Sequence, residues 1–361
     1  MDFRQRMIRT VRFEAADALP FRHAYGLMPG VLDDWHAEGL PRSVRTEDDV
    51  YGYFGFPTRS LPLPIDVLFD PPFETRVLRE DADEVVAIDY MGRATRLLKR
   101  YASLPLPLGY PVADRATWEG YRRRLAYSPD RIGADLERIA AENLATGRLN
   151  VFGTMGFYWF PRDLMGDEGL CVAYYEQPDL VEDILETWCG LIERALADAL
   201  ARVRLDAIHF GEDMAYRNAS MIGPKLFDRF IRPYYERIRR IVHRHQVPIF
   251  GVDTDGSLAE LASWFAACGV NLIGPCEVQA GNDVTALRRR FGRAMAYDGG
   301  LDKRVLTEGR EAIDAMLDRT IPFIKGTGGG WCVSLDHRVI RGTPLADFQH
   351  YVDRAREMIA F

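Results

Sequence analysis

From about residue 130, apolar positions fall into two alternating patterns: stripes that recur every three to four residues, and short, nearly continuous apolar runs. Residues 130–147 predict a helix stopped by Gly147. Residues 148–155 predict a strand, 178–203 a long helix entered through Pro178, and 205–213 another strand. Residues 224–245 predict one helix with Phe227, Phe230, Ile231, Tyr234, Ile238, Ile241 and Val242 on a single face, kinked at Pro233. Strands at 247–253, 270–275, 293–300 and 329–335 then alternate with helices at 257–269, 283–292, 308–326 and 344–359. At least six strand–loop–helix units in a row imply parallel strands joined by right-handed crossovers. Runs apolar on both faces are those of strands covered on both sides. The pattern predicts an α/β fold, a (β/α)8 TIM barrel, with a further strand near 13–21. An open doubly wound sheet is the runner-up, and its Gly-x-Gly-x-x-Gly fingerprint is absent.

Residues 1–120 read differently. They are rich in proline and aromatics, and "DEVVAIDYMGRATRLLKR" predicts two strands joined at Met91-Gly92. They are expected to form an irregular N-terminal extension with a β-hairpin, a cap packed on a barrel of residues 121–361, the whole making one structural domain.

Composition narrows the function classes. A chain of 361 residues suits a large α/β barrel, and it is 47% hydrophobic and 27% charged, as soluble globular proteins are. A net charge of −7 argues against nucleic acid as a partner. No apolar run is long enough for a membrane span, and "MDFRQRMIRTVRFEAAD" lacks the apolar core of a secretory signal. The five cysteines are scattered without a CxxC pair, so neither a disulfide framework nor a structural zinc site is expected. A cytoplasmic enzyme acting on a small molecule is the expectation, with room for a homodimer.

In a barrel, chemistry sits at the carboxyl ends of the strands. Five consecutive predicted strands end in carboxylates: Glu212 and Asp213, Asp253 and Asp255, Glu277, Asp298 with Asp302, and Asp336 beside His337. One acidic end is ordinary, since carboxylates favour helix N-termini. Five converging on one mouth would repel each other unless a metal ion or a cationic ligand relieved them, or Lys303, Arg304 and Arg338 offset part of the charge. "VDTDG" is also ordinary turn chemistry. If strand geometry persists through it, however, Asp253 and Asp255 point to the same side. With His337 they would offer oxygen and nitrogen ligands suited to Zn²⁺, Mn²⁺ or Fe²⁺. Glu212 and Asp213 are candidates to orient substrate or ligands. Lys303 is a further catalytic candidate, or else one half of an ion pair with Asp302. The run "MGFYWF" (155–160) should line the mouth. "GTGGGW" precedes a strand, the wrong side for a phosphate loop.

The stretches "GEDMAYRNASMIGPKLFDRFIRPYYERI", "VDTDGS", "GPCEVQAGNDV", "YDGGLDKR" and "SLDHRV" resemble the uroporphyrinogen decarboxylase superfamily, which also holds cobalamin-dependent methyltransferases. The resemblance extends from "HAEGLP" and "YFGF" to the end of the chain and implies a (β/α)8 barrel. The thiol-methylating branch carries zinc on His-x-Cys after one strand and on a much later Cys, with a glutamate between. Asp253 stands at the His position, Asp255 at the first Cys, Glu277 at the glutamate and His337 at the last Cys. The resemblance thus implies a metal set of Asp253, Asp255, Glu277 and His337, harder than the thiolate set and suited to Lewis-acid work on oxygen. It implies a divalent metal, zinc first, with manganese or iron after it. It also implies methyl transfer from a small O- or N-methyl compound to a corrinoid supplied by a partner protein. The alternatives are a metal-assisted decarboxylase or lyase acting on a small carboxylic acid without corrinoid, and a non-catalytic ligand-binding barrel. The decarboxylase itself has an Arg-rich N-terminal motif. The matching region here, "LPFRHAYGLMPGVLDDW", keeps only Arg22 and His23 as cations.

Overall fold

The computed structural model describes residues 1–23, 25–100 and 104–361. Helix α1 (Phe3–Arg12) is opened by a capping box in which Asp2 and Gln5 satisfy each other's backbone amides. Two short helices follow, α2 (Val31–Ala37) and α3 (Glu47–Tyr53). The predicted hairpin is present as β2 (Glu84–Ile88) and β3 (Ala94–Leu98). It is flanked by β1 (Arg76–Glu80) and β4 (Leu106–Pro107) in a four-stranded antiparallel sheet. Helix α4 (Arg115–Arg122) closes this region.

The barrel strands are β5 (Val151–Met155), β6 (Ala207–Gly211), β7 (Ile249–Asp253), β8 (Leu272–Gly274), β9 (Ala296–Asp298) and β10 (Trp331–Cys332). They pair in sequential order, every pair parallel. Helix α5 (Leu136–Ala145) precedes β5. Between the strands run α6 (Trp159–Glu176), α7 (Pro178–Arg202), α8 (Pro224–Phe230), α9 (Arg232–His245), α10 (Leu261–Ala267), α11 (Val284–Phe291) and α12 (Arg310–Gly326), and α13 (Leu345–Ile359) ends the chain. The strand expected near 13–21 is short. Val333 N donates to Pro20 O (2.8 Å) and Arg22 N donates to Val333 O (3.1 Å), so Phe21 lies parallel beside β10. Among the described residues no ladder joins this segment to β5. No helix among them is long and apolar enough to cross a membrane.

Strand alternation sorts the core into two parts. Outward residues such as Phe152, Phe210, Val252, Ile273 and Trp331 join the main core with the helices. Inward residues Leu149, Ala207, Ile249, Leu272, Ala296 and Cys332 form a separate cluster with Met7 and Val11 of α1. Helix α1 therefore plugs the amino-terminal end of the barrel, and the first 23 residues build its floor and one of its staves.

Two features depart from the periodicity. Pro233 does not merely kink the expected 224–245 helix. It splits it at Ile231, because proline at the second position of α9 cannot donate to the preceding turn. Helix α6, not expected from the sequence, is interrupted at Gly166 (φ 77°), where a Cβ would lie 2.5 Å from the ring of Tyr110.

Candidate functional site

The carboxyl ends of β6 to β10 bring the acidic residues to one mouth. The ladder between β7 and β8 continues past Asp253, with Thr254 N donating to Gly274 O (2.8 Å). Thr254 turns outward and accepts the amide of Met214 (3.0 Å), while Asp253 and Asp255 share the other side. Tyr25 Oη donates to Asp253 Oδ2 at 2.6 Å, and His337 Nε2 lies 3.1 Å from Asp255 Oδ1. The Tyr25 and His337 rings are 5.8 Å apart, so the two pairs stand side by side. Burial pushes the Asp253 carboxyl up to about 7; Asp255, Asp213 and Asp298 add to the rise and the Tyr25 hydroxyl holds it back. Burial opposes charge on His337, but hydrogen bonding to Asp255 and the nearby carboxylate of Asp336 outweigh it and hold the imidazole at about 9.

Glu277 accepts the amide of Gly256 at 2.9 Å and so braces the turn after Asp255. Gly256 sits at φ +81°, where a Cβ would be 2.5 Å from Ala215 O, so the turn requires glycine. Asp213, at φ 47°, swings into the mouth and is held by Arg162, which donates to its carbonyl at 2.6 Å and faces its carboxylate at 3.4 Å. Trp159 lies over the inner face of Gly211, beside Asp253 in register. Deeper in the barrel, Arg22 pairs with Asp298 (2.5 Å), which also accepts from Ser334 (3.0 Å).

Glu212 sits elsewhere than a substrate-touching role would place it. Glu212 is fully buried and turned away from the mouth. It accepts the amides of Phe157, Tyr158 and Trp159 at the start of α6 and the hydroxyl of Tyr235. It is a helix-terminus anchor. Lys303 approaches the buried Asp336 at 3.5 Å, whereas Asp302 pairs with Arg304 at 2.7 Å. The four expected metal ligands are not gathered as a set. Among the described residues no three His, Cys, Asp or Glu side chains surround one point. Each of the four has a protein partner instead: Asp253 a hydroxyl, Glu277 a backbone amide, and Asp255 and His337 each other. The donors as arranged do not fit a metal ion.

Tyr25 and Arg162 are site residues that the hydrophobic pattern does not reveal. Tyr25 follows a strand defined by too few pairs to show as a run. Trp159 belongs to the "MGFYWF" stretch, which did carry a signal.

Comparison with known proteins adds ancestry. The family model described as uroporphyrinogen decarboxylase (URO-D) matches residues 163–358, more than half of the chain. A curated protein described as uroporphyrinogen decarboxylase, from Phenylobacterium zucineum (strain HLK1), is 26% identical over 230 residues. That match covers 62% of this chain and 63% of the relative, so it spans less than two thirds of the relative's length. A solved structure described as a methyltransferase from Methanosarcina mazei covers 99% of both chains at a TM-score of 0.65 and 15% identity, a likeness of fold.

Proposed function

For this chain, which belongs to the uroporphyrinogen decarboxylase (URO-D) family, a family of enzymes, we propose methyl transfer from a small O- or N-methyl compound, with Asp253 as the proton donor. The acceptor in this reading is a reduced corrinoid carried by a partner protein, which supplies the nucleophile, and the compartment is the cytoplasm. One observation carries the proposal: a largely buried strand-end carboxyl, bonded by Tyr25 at 2.6 Å, pushed by burial up to about 7 and set among four other acidic strand ends. A methyl–oxygen bond, or the methyl–nitrogen bond of an uncharged amine, breaks with its electron pair going to the heteroatom, and that anion leaves poorly unless it is protonated; a quaternary methylammonium leaves as a neutral amine and does not call on the acid. A carboxyl that still holds its proton near neutral pH is matched to that task. Tyr25 fixes its orientation, and Trp159 and Asp213 shape the space beside it. Asp255 and His337 form a paired charge that leaves Asp253 as the proton source. No step is routed through a metal, because the donor set does not assemble one.

Decarboxylation of uroporphyrinogen is the second reading, favoured by the description of the 26% identical relative. Against it, Arg22, Arg162 and Lys303 are each already engaged by a carboxylate, which leaves few cations for a polycarboxylated tetrapyrrole. Incubating the enzyme with reduced cobalamin and a panel of methyl ethers and methylamines, and following methylcobalamin by absorbance, tests the first reading. Carbon dioxide release from uroporphyrinogen with no methyl transfer would replace it with the second.

A further inference from the structure

One cation at the rim of the mouth has no partner among the described residues. Arg338 follows His337 directly and makes no hydrogen bond or ion pair with the described residues, although it is only half-exposed. It lines a pocket of about 340 Å³ together with Tyr25, Leu27, Glu47 and Arg59. Tyr25 belongs to both places, its hydroxyl on Asp253 and its body against the pocket.

The other charges in this pocket are engaged. Arg59 donates to Asp48 at 2.9 and 3.2 Å. Glu47 gives one oxygen to the amide of Leu27 at 2.9 Å. Its second oxygen is sealed from solvent and turned toward His23 Nε2 at 3.8 Å. Among the described residues lining this pocket, Arg338 therefore presents the one guanidinium without a carboxylate partner, next to the tyrosine that bonds the acid, and a guanidinium fork is matched in shape to a carboxylate.

We propose that the substrate is a methylated carboxylate, its carboxylate held by Arg338 in this pocket and its methyl-bearing atom reaching past Tyr25 to Asp253. This rests on the methyl-transfer reading for what happens to the methyl group, but the binding claim is separable from it. A polycarboxylate is disfavoured, since one open arginine serves one carboxylate. A small acid with an N- or O-methyl group at its other end is what the arrangement accepts.

The test uses pairs of probes that share the methyl-bearing end and differ only in the carboxylate: glycine betaine against choline, and methoxyacetate against 2-methoxyethanol. Binding to wild type, Arg338→Met and Arg338→Lys is measured by calorimetry, with unfolding midpoints confirming that the variants are folded. The expected result is that at least one carboxylate binds about tenfold or more tighter than its alcohol partner, the scale of a charge-assisted hydrogen bond. Arg338→Met should abolish that preference, and Arg338→Lys should restore part of it. Equal binding within both pairs, no binding of either carboxylate, or a preference that survives Arg338→Met would each overturn the proposal. Carboxylate binding through Arg338 without methyl transfer to reduced cobalamin would leave this subsite standing and remove the reaction proposed above.

Discussion

Glu212→Gln is the sharpest probe of how the mouth is built. The carboxylate meets four donors: Oε1 takes Phe157 N (2.9 Å) and Tyr235 Oη (2.6 Å), and Oε2 takes Tyr158 N (2.7 Å) and Trp159 N (3.2 Å). Glutamine has one acceptor oxygen. In its better orientation that oxygen replaces Oε2, Tyr235 turns its hydroxyl to accept from the new NH2, and the Phe157 amide is left facing a donor. An unsatisfied buried amide costs about 1–3 kcal/mol. Losing a negative charge at a helix N-terminus costs up to about 2 kcal/mol more when partly buried. Removing a buried charge returns part of this, since burial already pushes the Glu212 carboxyl upward. The net expectation is a loss of about 2–3 kcal/mol, read as a lower urea midpoint by tryptophan fluorescence at unchanged denaturant slope. Turnover by the folded fraction should fall much less, because the residue touches only the scaffold. A midpoint equal to wild type would refute the claim that the cradle needs an acceptor on both sides. A stable variant without activity would return Glu212 to the substrate.

Asp253 carries the pH dependence. Its carboxyl is raised from an ordinary 3.8 to about 7, so the folded chain holds this proton more tightly than the unfolded chain. The stability it contributes is full in acid and is lost as pH rises through about 7. Asp253→Asn should therefore gain stability relative to wild type as pH rises from the ordinary 3.8 to about 7, and keep that gain above it; parallel pH profiles would contradict the shift. Tyr25→Phe removes a donor to the ionised form, so the Asp253 titration followed by carboxyl NMR should move further up, and an unchanged or lower midpoint would count against the pairing. After chelator dialysis, the unfolding midpoint should stay where it was and elemental analysis should find no retained stoichiometric metal. One tightly held zinc per chain would show that the mouth rearranges into the ligand set expected from the sequence.

Much of the barrel was legible because its signal is local. From residue 147 onward, each short apolar run bounded by glycine or a charge became a strand, and five of the six ended in a carboxylate. That same regularity located Asp213, Asp253, Asp255 and Glu277 before any contact was known. The amino-terminal part was opaque for the opposite reason. The Phe21 stave is recognisable only through its pairing with Val333, and α1 is buried by a barrel made from distant sequence. Tyr25 reaches Asp253 across 228 positions, a partnership no local pattern encodes. Glu212 and Asp213 are neighbours in sequence, yet one anchors a helix and the other enters the mouth, because Asp213 adopts a left-handed backbone. The hard-ligand set was a sound inference from residue types, but which donor each would take depended on tertiary geometry.

Single-turnover methyl transfer to reduced cobalamin, comparing wild type with Asp253→Asn on a methyl ether that the wild-type enzyme uses, bears most directly on the central claim. Loss of the general acid should slow the step about 10²–10⁴-fold while substrate affinity changes little. An Asp253→Asn variant that transfers methyl groups at the wild-type rate would show that the buried acid at the barrel mouth is not the proton donor.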